Sequence, residues 1–299
     1  MTTSKLDYLL KLPKFDHLEA KTIEEACSLL AKYKGKARVI AGGTDLLVSM
    51  KRREISPQYI INIKAIPNLD QISYSQKDGL VIGALTTLAA IESSPIIQER
   101  SPILSSAAHQ TGPPHIRNVA TIGGNLCNAA PSADMAPSLI GLGAKAKIKG
   151  LKGERVVTVE QFFIGPGVSI LQVGEILTEI QVPNPPSHTR GVYLKLPART
   201  AIDIAVVGVA VVVTLDAKGV NIVDVKIVLG AVAPTPIRAR QAEDIIKGKA
   251  IDHELIEKAA QAAADEAKPI SDVRGLASYR REIVKVLTNR ALKQVTTHI

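Results

Sequence analysis

Two stretches decide how this chain reads: Ile40-Ala41-Gly42-Gly43-Thr44-Asp45-Leu46 and Ala120-Thr121-Ile122-Gly123-Gly124-Asn125-Leu126. The first leaves a short apolar run, Ala37 to Ala41, and enters a helix predicted from Asp45 to about Arg53. A glycine pair lets the backbone turn its N–H groups toward one point and lets a ligand approach with no Cβ in the way. Such a concavity binds anions, and an adjoining helix N-terminus adds favourable partial charge. The hydroxyls of Thr44 and Thr121 supply further hydrogen bonds. One such loop alone is more often a plain turn, and Asp45 alone reads as a helix cap. Two of them, each Gly-Gly beside a hydroxyl residue, point to a ligand whose phosphates lie between two chain segments, as a diphosphate does.

Working outward, Thr22 to Tyr33 carries apolar residues at 23, 26, 29 and 30, one helical face, and Thr22 with Glu25 is a capping-box signature. Tyr59 to Ile63 is a β-branched strand, and Gln71 to Gly83 a hairpin turning at Asp78-Gly79. Thr86-Thr87 caps a helix to about Glu92, and a further helix runs from Ile103 to Thr111 until Gly112-Pro113-Pro114 stops it. Asn118 to Pro137 reads as loop-rich. Ala144 to Lys149 alternates apolar residues with three lysines, a charged edge strand that discourages pairing.

Pro183-Asn184-Pro185-Pro186-Ser187 breaks the chain, because prolines so spaced continue neither strand nor helix. The expected division is residues 1–182, with subdomains of about 1–58 and 59–182, and residues 188–299. The second part reads as three long strands, Gly191 to Pro197, Ala205 to Leu215 and Val220 to Val232. Helices follow from about Arg240, from His253 to Lys268 and from Ser278 to Lys293, the last with an apolar stripe at 279, 283, 286, 287 and 291. Strands followed by helices give an α+β domain, an antiparallel sheet with helices packed on one face.

Composition excludes several functions. The 299 residues are 46% apolar and 22% charged, the balance of a chain that buries a core and suits two or three domains. Lysine and arginine exceed acidic residues by 37 to 28, yet there is no Trp and only three Phe and six Tyr. A single-strand nucleic-acid binder lacks its stacking platforms here. Cys27 and Cys127 are too few for an iron–sulfur cluster, which takes about four thiolates, and give no disulfide framework. Met1 to Asp7 holds no apolar run, and the longest apolar stretch, Ile204 to Val213, is about half the roughly 20 residues of a membrane-spanning helix. The expectation is a cytoplasmic protein without membrane insertion. No Gly-x-Gly-x-x-Gly follows a strand, and phosphate-loop, His-Glu-x-x-His and Gly-x-Ser-x-Gly motifs are absent. The six histidines show no metal-ligand spacing.

Two polar groups remain. Asp134, after Ala130-Pro131-Ser132-Ala133, is either the cap of a helix Met135 to Leu142 or a carboxylate that accepts hydrogen bonds from a nucleotide. Tyr193-x-Lys195-x-x-x-Arg199-x-x-x-Asp203 sets an aromatic and a lysine on one side of a strand, where a lysine is ordinarily solvated.

Taken together these segments resemble the flavin-binding subunit of the molybdenum hydroxylases, the xanthine dehydrogenase and carbon monoxide dehydrogenase family. The resemblance rests on Ala41 to Leu46 with Met50-Lys51, on Ile82-Gly83-Ala84, and on Ile116-Arg117-Asn118-Val119 running into the second glycine pair and Ala130 to Asp134. It extends to Gly174-Glu175-Ile176-Leu177, Lys195 with Arg199, and Gly230 to Arg238. It implies a two-subdomain FAD-binding region of the vanillyl-alcohol-oxidase type, then a C-terminal flavoprotein domain. By position, Ile40, Ala41, Gly42, Gly43, Thr44, Asp45 and Leu46, with Thr121, Ile122, Gly123, Gly124 and Asn125, would hold the FAD diphosphate. Asp134 would bind the flavin's polar parts, and Thr111, Leu177 and Lys195 would complete the site, Lys195 near the isoalloxazine. Thr111 stands where relatives often carry a larger apolar or aromatic residue.

The resemblance further implies partners. A large subunit with a molybdenum cofactor oxidises substrate, and a small subunit with two two-iron two-sulfur clusters carries electrons to this FAD, in a dimer of heterotrimers. The alternative is a free-standing flavin-dependent oxidoreductase of the same superfamily. Neither the substrate nor the electron acceptor (NAD, oxygen or a quinone) is written in this chain.

Overall fold

The computed structural model describes residues 11–199 and 204–296, so Asp203 of the Tyr193 pattern lies outside the described residues. The chain opens with β1 (Asp16–Glu19), the helix Ile23–Tyr33, β2 (Ala37–Ile40), the helix Leu46–Lys51 and β3 (Tyr59–Asn62). Thr22 caps the first helix by accepting from the Glu25 amide, while Glu25 reaches back to the amide of Lys21. The three strands are parallel in the order β1-β3-β2. β3 is the middle strand, so this sheet extends past residue 58, where the sequence reading divides the region.

The second sheet is antiparallel. It comprises β4 (Ile72–Ser75), β5 (Gly79–Gly83), β6 (Lys145–Gly150), β7 (Gly153–Thr158) and β10 (Ile176–Val182) in the order β4-β5-β10-β6-β7. A small ribbon of β8 (Phe163–Gly165) and β9 (Val168–Ser169) lies beside it in sequence. β6 is therefore an interior strand and not the charged edge its alternation suggests. Two of its three lysines find carboxylates from elsewhere in the chain: Lys147 meets Glu154 and Glu179, and Lys149 meets Glu24 and Glu154. Its other face buries Ala146 and Ile148.

Short helices fill the connection between β5 and β6: Leu88–Ser93, Pro95–Arg100, Pro102–His109, Pro114–Arg117, Ile122–Cys127 and Met135–Gly141. The segment Asn118 to Pro137 is thus more helical than its composition suggests. Gly123 and Gly124 stand in the first turn of a helix that Thr121 caps through the Gly124 amide.

The third sheet has the order β11 (Thr189–Pro197), β12 (Ala205–Leu215), β13 (Ile222–Gly230), β14 (Ile237–Arg238), all antiparallel. Helices Arg240–Ile246, His253–Glu266 and Ala277–Thr296 cover one face. The last buries Val284, Leu287, Ala291, Leu292 and Val295, a stripe shifted from the expected one, and leaves Tyr279 and Val286 exposed. The middle of the opposite face is covered as well. Tyr193, Ala210, Val212 and Val228 join the core built by Leu104, Met135 and Leu139 of the preceding helices. Gly141 and Gly230 permit this approach, since a Cβ on either would stand 2.9 Å from Val212 or Pro137. Coverage on both faces explains why β12 is apolar almost without interruption where a half-exposed strand alternates. Each fully buried Val or Leu contributes about 1.5–3 kcal/mol, so the layer joining the halves is a substantial part of the stability.

Candidate functional site

The first glycine loop sits at the carboxyl end of β2. Gly43 adopts φ +76°, a left-handed conformation that glycine takes without strain. Among the described residues, no amide from Gly42 to Asp45 donates to a main-chain acceptor, so this turn carries unspent donors. Asp45 precedes the helix Leu46–Lys51 but its side chain makes no capping bond, which removes the helix-cap reading. Leu46 is half-buried.

The second loop meets the first. A Cβ on Gly42 would overlap the carbonyl oxygen of Val119 and press on the Ala120 backbone. The amides here are differently employed: Ile122 donates to Thr86 O (3.0 Å), Gly123 to Ala84 O (2.9 Å) and Asn125 to Thr121 O (2.9 Å). The Gly124 amide goes to Thr121 Oγ1 at 3.0 Å. The two glycine pairs are therefore not equivalent. The first offers free N–H groups; the second lets the helix Ile122–Cys127 dock on Ala84, whose oxygen would stand 2.6 Å from a Gly123 Cβ. Asn125 Oδ1 is buried without a partner, an acceptor left for a donor that the described residues do not provide.

Between the loops lies a cleft of about 390 Å³ bounded by Ala41, Gly42, Val119 and Thr121. Lys64 to Pro67, Asp70, Leu85, Thr87 and Asn118 complete its wall. Sequence reading assigned none of these to the site, although Asn118 stands in a stretch that carries the resemblance and Thr87 at a predicted helix cap.

Deeper in the molecule, Asp134 makes no capping bond to its helix. Its Oδ1 accepts from the Tyr193 hydroxyl at 2.7 Å and its Oδ2 from Lys195 Nζ at 2.8 Å. Lys195 Nζ also donates to Gln110 O at 2.8 Å. Its side chain is 1% exposed, so the solvated-lysine reading fails. With two of three ammonium protons engaged, one remains. Burial pushes the Asp134 carboxyl above its ordinary range against the opposing pull of Lys195, and burial with the facing carboxylate raises the Tyr193 phenol well above 10. Gly208 is required opposite Tyr193, whose hydroxyl would lie 2.7 Å from a Cβ there. Thr111 spends its hydroxyl on Ala107 O. Leu177 lies in the core, paired to Ile148 across β10 and β6.

A parallel sheet ending in a donor-rich glycine loop, an antiparallel sheet against it and a third sheet layered with helices is the build of an FAD-binding region joined to a C-terminal flavoprotein domain. Residues 13–185 match the family described as FAD binding domain in molybdopterin dehydrogenase, and residues 192–295 match the CO dehydrogenase flavoprotein C-terminal domain. The chain belongs to this family, the FAD subunits of the molybdenum-containing dehydrogenases. It is 36% identical to the glyceraldehyde dehydrogenase medium chain of Sulfolobus acidocaldarius, over 95% of this chain and 99% of that one. It is 35% identical to the carbon monoxide dehydrogenase medium chain of Hydrogenophaga pseudoflava, over 94% and 96%. A solved carbon monoxide dehydrogenase from that organism superposes with TM-score 0.91 at 36% identity, covering 95% and 97% of the two chains. A quinoline 2-oxidoreductase from Pseudomonas putida superposes with TM-score 0.89 at 29% identity, over 96% and 98%. No helix among the described residues is long and apolar enough to cross a membrane.

Proposed function

We propose that this chain holds FAD in the cleft between its glycine loops, takes electrons from iron–sulfur clusters of a small subunit and passes them to an external acceptor. A large subunit carrying the molybdenum cofactor would oxidise the substrate, in a dimer of heterotrimers. The observation that carries the reading is the run of unspent amides from Gly42 to Asp45, packed through Gly42 onto Val119 at the mouth of the cleft. Those amides suit a diphosphate, with Thr121 on the opposite wall. Asn125 Oδ1 suits a hydroxyl of the cofactor. FAD, when bound, supplies an electron store that accepts electrons singly and releases them in pairs.

The protein's own part is placement. In this reading Lys195, fixed by Asp134 and Gln110, offers its remaining N–H to the flavin ring, and Tyr193 holds Asp134 in register. Thr111 and Leu177 contribute packing. The FAD region is residues 1–182 and the C-terminal domain 188–299. Relatives matched over nearly their whole length are named as medium chains, which favours a subunit over a free-standing flavoenzyme. The complex, purified from its source, should carry FAD and this chain at about 1:1, with large and small subunits co-eluting. A colourless complex sinks the proposal, and substrate turnover by the isolated chain would favour the free-standing alternative.

A further inference from the structure

Outside the residues already assigned, one carboxylate is built into the scaffold in an unusual way. Glu92 ends the helix Leu88–Ser93 and is itself held, its carbonyl accepting from Gln98 Nε2 at 2.9 Å and Ser105 Oγ at 2.7 Å. Its Oε1 lies 2.7 Å from His109 Nδ1 and its Oε2 accepts from Arg117 Nε at 2.7 Å. Arg117, buried, also donates from Nη1 to Gly112 O at 2.6 Å. His109, at the end of the helix Pro102–His109, and Arg117, at the end of the helix Pro114–Arg117, bound one segment, the chain leaving Glu92 at the first and returning to it at the second. Within that segment Gln110 gives its carbonyl to Lys195 and its side-chain amide to Tyr193 O. Immediately after it, Asn118 and Val119 form the cleft wall against which Gly42 packs.

We propose that Glu92 is a positioning residue for the cofactor site, a clasp that closes the 109–117 segment and so sets both the carbonyl that aims Lys195 and the Asn118–Val119 wall of the cleft. The proposal rests on the reading that FAD occupies this cleft. An exposed ion pair contributes about 0–1 kcal/mol. This one differs because the Arg117 side chain is 8% exposed and the carboxylate joins two points of the chain that flank functional atoms. Glu92 itself is not assigned to the flavin, but the segment it closes contains Thr111, so loosening the clasp reaches the site through that segment. The effect therefore belongs to the cofactor's environment as well as to stability.

The test uses the chain purified with its accompanying subunits, as wild type, Glu92→Gln, His109→Ala and Glu175→Gln. Glu175 is paired to Arg155 near the far edge of the second sheet, so its variant controls for plain destabilisation. Two readouts are followed, the rate of FAD release on dilution and the shape of the visible flavin band. Glu92→Gln should release FAD about tenfold faster, roughly one decade in affinity, with an altered band. His109→Ala, at a side chain 69% exposed and safe for folding, should move both readouts less and in the same direction. Glu175→Gln should lower the melting temperature and move neither. Wild-type flavin behaviour in Glu92→Gln and His109→Ala, or an equal change in Glu175→Gln, overturns the clasp. If Glu92→Gln does not fold, His109→Ala decides. A wild type without FAD overturns the underlying reading and the clasp together, whereas a yellow wild type with unaffected variants overturns the clasp alone.

Discussion

Gly42 is the residue on which the site turns, because it has no room for a side chain: the space is taken by a backbone carbonyl of the other loop. Gly42→Ala should push the loops apart and abolish FAD retention while leaving the circular-dichroism signal of folded protein. A variant that keeps stoichiometric FAD by absorbance would mean that the two loops can separate without consequence for the cofactor. Lys195 makes a second case. Removing one partner of a buried ion pair costs about 3–5 kcal/mol, because the remaining charge has no solvent. Lys195→Met should therefore lower the thermal midpoint by several degrees, and adding Asp134→Asn should recover much of the loss, since an amide needs no counter-charge. A double variant as unstable as the two single losses combined would show that the two side chains act independently.

At the scale of elements, β7 is tied in by Arg155, which donates to both oxygens of Glu175 at 2.8 and 2.7 Å. The guanidinium holds the Glu175 carboxyl below its usual range. A lowered folded pKa means that the pair stabilises fully above the unfolded value of about 4.3 and is lost as pH falls through the folded one. Glu175→Gln should cost about 1.5–3 kcal/mol near neutrality. Its melting curve should begin to approach that of wild type as the pH falls below about 4.3, and a constant gap down to pH 3 would refute the assignment. Elements with strong periodicity were legible in the sequence: the helix from Ile23, the long β12, the hairpin at Gly79. Where reading went astray, the missing information was tertiary. The alternation of β6 shows that one face is charged but not that Glu24, Glu154 and Glu179 come to meet it. Asp134 has the position of a cap, and only the fold reveals that Tyr193 and Lys195 take its oxygens. The first glycine loop declared itself; the difference between its free amides and the occupied ones of the second needed coordinates.

For the molecule as a whole, the decisive feature is the sheet shared between the halves, one face given to its own helices and the other to the core around Met135 and Leu139. A fragment ending near residue 186 would expose that core, and we expect it to aggregate when produced alone. Co-production with residues 187–299 should restore a soluble, FAD-retaining pair, as judged by size-exclusion chromatography. A monodisperse N-terminal fragment would show that the apolar layer is dispensable. The Pro-rich connection, by contrast, runs exposed from Pro183 to His188, fastened at Asn184, which donates to Gln76 O of the β4–β5 hairpin, and at His188, whose carbonyl accepts from the Leu215 amide. Because the halves are glued by their interior and not by this strap, the strap itself is free to grow. A purification handle or a fluorescent reporter spliced between Pro186 and Ser187 should ride on the surface without loosening the joint beneath it.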